Sequence, residues 1–306
     1  MPGASWCLPA RATHALTGVT AARGVFPCDG KERTASDQHE RSRLLVLIEL
    51  KGGNDGLNTV VPFADSLYYA LRPGLHVPRA QVLPLDERTG LHPALAPMLP
   101  LWQAGELAVV QGAGYVHAAP NPSHFRSSEI WETASEASQY WRDSWLVRAR
   151  AERDAAPSPA AHGEVNVIRL TLNGFDTHHH QAVRHAHLLA QLAQEFATLR
   201  ATLTRTAQWS RTLVLTYSEF GRSARENTLG GTEHGGASSL FIAGGQVRGG
   251  MYGTPPQLHR LNGDDALPVD VDFRRIYATV LDNWLRVDSC AVLQRRFEPL
   301  DFLTLT

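Results

Sequence analysis

The chain has 306 residues, enough for one large α/β domain or two small ones with a real core. Hydrophobic residues make up 43% and charged residues 19%, as in ordinary soluble globular proteins, and a net charge of -1 excludes the basic footprint of a nucleic-acid or anionic-membrane binder. No run approaches the roughly 18 apolar residues of a membrane span.

Residues 1–42 mix Ala, Gly, Thr and Arg with the charged run Lys31, Glu32, Arg33, and no apolar stretch follows the basic residues. They are expected to be a disordered or misassigned leader without a working signal peptide, and 43–306 a single domain. The first apolar run, 44–50, reads as a strand buried on both faces, as in a parallel sheet. It ends in the glycine-rich turn Lys51-Gly52-Gly53-Asn54-Asp55-Gly56. Similar runs at 107–111, 165–172, 212–216 and 240–243 also stop at glycines or at Tyr217-Ser218-Glu219. Helical stretches are expected at 123–134, 139–150, 182–204 and 273–285, the third carrying Leu188, Leu189, Leu192, Phe196 and Leu199 at helical spacing. Strands alternating with helices predict a mostly parallel, doubly wound α/β sheet with its ligand site beyond the carboxyl ends of the strands. The small, polar, proline-bearing segment 151–163 reads as a surface loop. The cysteines Cys7, Cys28 and Cys290 show no CxxC spacing, hence neither a disulfide framework nor a zinc knuckle.

Asp55, Asp176 and Glu219 each fall just past a predicted strand. Three acids on one sheet edge are costly unless a cation joins them, and a metal ion is the economical answer. In Gly174-Phe175-Asp176-Thr177-His178-His179-His180, a carboxylate and imidazoles two and four residues later can reach one ion. Oxygen with borderline nitrogen suits zinc, manganese or iron, against the alternative of Asp176 as a helix cap. Glu219 reads as a ligand and Arg222 as an anion clamp, or the two as a pair at helical spacing. His234 sits between glycines, which let backbone approach a ligand closely. Ser123 is a helix cap, or a nucleophile at a helix N-terminus, and His124 a ligand or packing. Alone, Asp55 reads as a turn residue. Set beside Asp176, Glu219 and His234, it reads as a ligand.

These segments are similar in order to one bacterial family: 51–62, Leu-His-Pro-Ala-Leu at 91–95, Ser-His-Phe at 123–125, Asn-Gly-Phe-Asp-Thr-His at 173–178, Ser-Glu-Phe-Gly-Arg at 218–222, the glycine loop at 230–235 and Val-Arg-Gly-Gly-Met-Tyr-Gly at 247–253. The chain resembles the domain of unknown function 1501, over roughly 44–297. The resemblance implies membership of the alkaline phosphatase and sulfatase superfamily, and so a three-layer αβα sandwich, a two-metal hydrolase ancestry and export to the periplasm by the twin-arginine route. No such leader is recognisable, so a cytoplasmic or mis-started chain is the alternative.

By the same resemblance Asp55 is the first acid and Ser123 the nucleophile. Asp176 with His178 or His180 and His234 forms one metal site, and Glu219 joins Asp55 and Ser123 at the second. One or two divalent ions (zinc, manganese or calcium) are implied, with a small phosphate or sulfate ester as substrate and Arg222 or Arg126 on its anionic group. Phe220 stands where phosphatases place a histidine and Glu233 where the family has Asp, and the stretch between Trp145 and Val165 is short. These departures leave a non-catalytic binding protein, or a truncated inactive product, as the alternative.

Overall fold

The computed structural model describes residues 19–26, 42–116, 122–156 and 164–304. In chain order the strands are β1 (Val19–Phe26), β2 (Arg43–Lys51), β3 (Val60–Val61), β4 (Leu83–Pro84), β5 (Gly90–Leu91), β6 (Leu107–Gly114), β7 (Val165–Asn173), β8 (Thr212–Tyr217), β9 (Arg222–Glu226), β10 (Thr232–His234), β11 (Ser238–Ala243), β12 (Gly250–Tyr252) and β13 (Val271–Asp272). An 8-stranded sheet runs β1-β7-β2-β8-β11-β6-β12, with β13 also paired to β6. The central trio β7, β2 and β8 is parallel, and β6, β12 and β13 share its direction; only β1 and β11 oppose it. The mostly parallel α/β sheet read from the apolar runs is thus the architecture found.

The apolar runs are continuous because both faces of the sheet are covered. Leu45, Leu47, Val165, Val167, Leu213 and Leu215 face one layer, built from the helices His124–Thr133, Trp145–Ala155 and Phe273–Thr279 and the π-helical turn Val280–Leu285. The residues between them, Val46, Ile48 and Val214, face the 3₁₀ turn Pro93–Met98 and the long helix Gln181–Arg205, which presents Leu188, Leu189, Leu192 and Phe196. Each such side chain contributes about 1.5–3 kcal/mol by leaving water. A charge at Leu47 or Val214 would therefore break one layer from the sheet.

Three expectations need correction. Within the segment read as a leader, Val19–Phe26 forms the edge strand β1, pairing residue for residue with β7. The rest of 1–42, with Cys7 and Cys28, lies outside the described residues apart from Ser42. The helix expected at 139–150 is Trp145–Ala155, because the Ser144 side chain caps it by accepting from the Val147 N–H. Of the loop expected at 151–163, the first residues continue that helix and 157–163 lie outside the described residues. No helix among the described residues is long and apolar enough to cross a membrane.

Candidate metal centre

The parallel strands β2, β7 and β8 end side by side, with Lys51 opposite Asn173 and Glu49 opposite Tyr217. Their outgoing loops therefore meet at one edge. Gly52 and Gly53 hold φ of 122° and 88°, and a Cβ on Gly52 would lie 2.2 Å from the Asp176 backbone nitrogen. Only glycine lets the β2 loop pass that close to the β7 loop. Ser218 fastens the third loop, its hydroxyl donating to the Leu50 carbonyl (2.6 Å) and accepting from the Asn54 N–H (2.8 Å). Helix His124–Thr133 is tied in by the Trp131 indole, which donates to the Glu219 carbonyl at 3.0 Å.

At this junction ligand atoms of His124, Asp176 and His234 all lie within 4.8 Å of one another. His178 adjoins them, its Nε2 3.0 Å from Asp176 Oδ1 and 3.0 Å from His234 Nε2. Asp176 is 44% exposed, so the cluster opens to solvent. Phe220 is buried, and its ring centroid lies 5.0 Å from that of His124 and 4.4 Å from that of His234. An apolar wall thus packs against two of the imidazoles.

Each of the three rings is anchored through Nδ1: His124 on Glu219 Oε1 at 2.9 Å, His178 on Glu233 Oε2 at 3.0 Å, and His234 on the Pro122 carbonyl at 3.1 Å. Those partners accept only, so each Nδ1 carries the hydrogen and a neutral ring leaves Nε2 as a bare lone pair. The Nε2 atoms then face Asp176: His178 and His234 approach Oδ1 at 3.0 and 3.3 Å, and His124 approaches Oδ2 at 3.6 Å. Arg222 reaches into this group, its Nη2 donating to Asp176 Oδ1 and its Nη1 lying 3.4 Å from His178 Nε2. The remaining crowding of Nε2 atoms around one carboxylate is relieved either by protonation of a ring or by a cation.

Electrostatics agree. Burial opposes the Asp176 carboxylate, but the hydrogen bond and charge of Arg222, with His178 and His124, outweigh it and hold its pKa below the ordinary range. Burial, then the Arg222 charge, lowers the pKa of His234 and favours the neutral imidazole. Metals require that form.

The remaining predicted site residues sit differently. Asp55 is buried and does not reach the cluster. Its Oδ1 accepts from the Leu57 and Asn58 N–H groups, and its Oδ2 from Arg72 (2.6 Å) and Gln181. The turn reading therefore describes Asp55, and both its oxygens are spent. Arg222 is turned inward, with no side-chain exposure, donating to the carbonyls of Gly52, Gly53, Phe175 and Thr232 and to Asp176 (2.5 Å). It has no donor left for an incoming anion, and its carboxylate partner is Asp176, not Glu219. Arg126 directs Nη2 to the carbonyls of Glu136 and Ala137 and pairs Nη1 with Glu129, while its buried Nε finds no partner among the described residues. Ser123 is exposed at the head of its helix, and its hydroxyl makes no cap bond. His180 is exposed, with φ 49°, its ring against that of His179 rather than in the cluster. Glu219 is buried and meets the cluster only through His124. The member of the cluster that sequence reasoning left undecided is His124; the Ser-His-Phe segment at a helix start was its only signal.

Residues 130–295 match the family described as a protein of unknown function, DUF1501. The chain belongs to this family. The matched DUF1501 span carries Asp176, His178, Glu219, Phe220, Arg222, Glu233 and His234, while His124 comes just before it. No curated protein matches the chain.

Proposed function

We propose that this DUF1501 protein is a metal-dependent, alkaline phosphatase-like hydrolase acting on a small phosphate or sulfate ester at one divalent ion. The observation that carries this reading is the convergence of three Nδ1-anchored imidazoles on the Asp176 carboxylate. His124, Asp176 and His234 would hold the ion, with His178 as a fourth donor. Neutral imidazole nitrogens with one carboxylate suit zinc or manganese, whereas calcium prefers six to eight oxygens. When bound, the ion supplies Lewis acidity, polarising an ester oxygen and making water a nucleophile at neutral pH. Arg222 fixes the Asp176 carboxylate, the phenyl ring of Phe220 keeps water from one side of His124 and His234, and the open side of Asp176 admits substrate. The exposed Ser123 hydroxyl, adjoining His124 in the chain, is the candidate nucleophile.

A second reading, a metal-binding protein without turnover, rests on Asp55 and Arg222. One is locked to Arg72 and the other has no free donor, so neither a second metal site nor an anion clamp has its expected residue. Metal analysis of the purified chain and of Asp176→Ala, with hydrolysis of aryl phosphate and aryl sulfate by the parent and by Ser123→Ala, separates the two. About one equivalent of zinc or manganese, lost in Asp176→Ala, with Ser123-dependent turnover supports the hydrolase. Metal without turnover supports the binding protein, and no metal in the parent sinks both.

A further inference from the structure

Glu219 differs from the other acids of the edge. Its side chain has no exposure, and Oε1 takes both the Gly52 N–H and His124 Nδ1, each at 2.9 Å. Among the described residues Oε2 finds no partner, and no Lys or Arg lies within ion-pair distance of the carboxylate. Nor does Glu219 belong to the group of ligand atoms gathered within 4.8 Å. A buried carboxylate satisfied at only one oxygen is costly unless positive charge is brought to it. Its hydrogen-bonded route to positive charge in this cluster is the His124 ring, with the Arg222 guanidinium acting on it only at longer range. A cation held at Nε2 would draw electrons from that ring and make the Nδ1 hydrogen a stronger, partly charged donor. Histidine ligands in metal sites are commonly held by such a carboxylate, which fixes the tautomer and the ring plane.

On the strength of the metal centre proposed above, we infer that Glu219 is not a ligand but a positioning residue, holding His124 as the Nδ1–H tautomer so that Nε2 faces the ion. Glu233 stands in the same relation to His178, but it is 59% exposed and its Oε1 is engaged by Asn227 at 2.7 Å. Its charge is screened by water, so its hold on the metal is the weaker of the two. The buried dyad is the one that sets affinity.

Titration of the full chain with cobalt(II), followed by visible absorption, tests this in the parent, Glu219→Gln and Glu233→Gln. Glu219→Gln is expected to bind cobalt tenfold to a hundredfold more weakly with an unchanged band shape, since the coordinating atoms stay the same. Glu233→Gln is expected to lose less than tenfold. Nitrogen-15 NMR of the parent chain's histidines gives a readout that no variant has to fold for, and it should show His124 protonated at Nδ1. Parent-like affinity in Glu219→Gln, an altered band shape, or an Nε2–H tautomer at His124 overturns the inference while leaving the metal centre standing. A parent chain that takes up no cobalt overturns the centre itself, and this inference with it.

Discussion

Two aspartates follow neighbouring strands of the same sheet, and each is met by an arginine at hydrogen-bond distance. Around Asp55 the carboxylate is buried, and its two oxygens receive Arg72, Gln181 and two backbone N–H groups, with Asn54, His185 and His92 packed behind. Around Asp176 the carboxylate is open, and three imidazoles turn Nε2 toward it. The first region balances donors against acceptors; the second has acceptors in excess. That imbalance, rather than residue type or place on the sheet edge, separates a structural acid from a candidate ligand.

The contrast can be broken most forcefully at the closed side. Arg72→Met leaves the Asp55 carboxylate buried without its cation, and urea unfolding should show a loss of about 3–5 kcal/mol. A loss under 1 kcal/mol would mean that the pair is not sealed. The same region should respond to acid. Burial lowers the pKa of His185 and of His92 to about 4, and His92 Nδ1 accepts the Ala94 N–H, which requires it unprotonated. Between that value and the roughly 6.5 of an exposed histidine, the unfolded chain binds more protons than the folded one. Stability is therefore complete above about pH 6.5 and falls as the pH drops toward 4, by up to about 1.4 kcal/mol per pH unit for each ring. Unfolding curves of the metal-free chain at pH 7 and pH 5 check the sign; higher stability at pH 5 would refute it.

The open side should behave in the opposite manner. Asp176→Asn keeps an oxygen for Arg222, so stability is expected to fall by only about 1 kcal/mol. Uptake of the metal, measured by dialysis and elemental analysis, is expected to vanish. Phe220→Leu removes the ring packed against His124 and His234, and about 1 kcal/mol should go with it, accompanied by a severalfold weaker affinity for cobalt. His180→Ala touches neither region, and both readouts should stay within error of the parent.

The extent to which all this is legible in the sequence follows from the range of the interactions. The strands at 44–50, 107–111, 165–172, 212–216 and 240–243 are found within a few residues of their expected bounds, because burial writes itself as an apolar run, broken most in 165–172, where Asn166, Arg169 and Thr171 interrupt a half-buried strand. The strands β3, β4, β5 and β13 have 2 residues each, too few to show any period. Edge strand β1 is hidden because nothing in its composition names the partner it pairs with. At the site, Asp176, His178 and His234 are readable from loops that leave them at strand ends. Asp55 misleads because its neutralising partner Arg72 lies a helix away, and a pairing at that separation leaves no pattern. Arg222 misleads for a related reason: an arginine near an acid reads as a clamp until the four carbonyls around it are seen.

Those carbonyls give the site a second guest. Viewed as coordination chemistry, the tips of the loops after β2 and β7 and the edge of β10 form a cage of oxygen atoms whose occupant is the guanidinium of Arg222 itself. A permanent organic cation thus occupies the inner half of the junction, bonded through Asp176 to the outer half where an inorganic one would sit. The protein carries a positive charge at this junction in its own covalent structure, beside the place proposed for the ion.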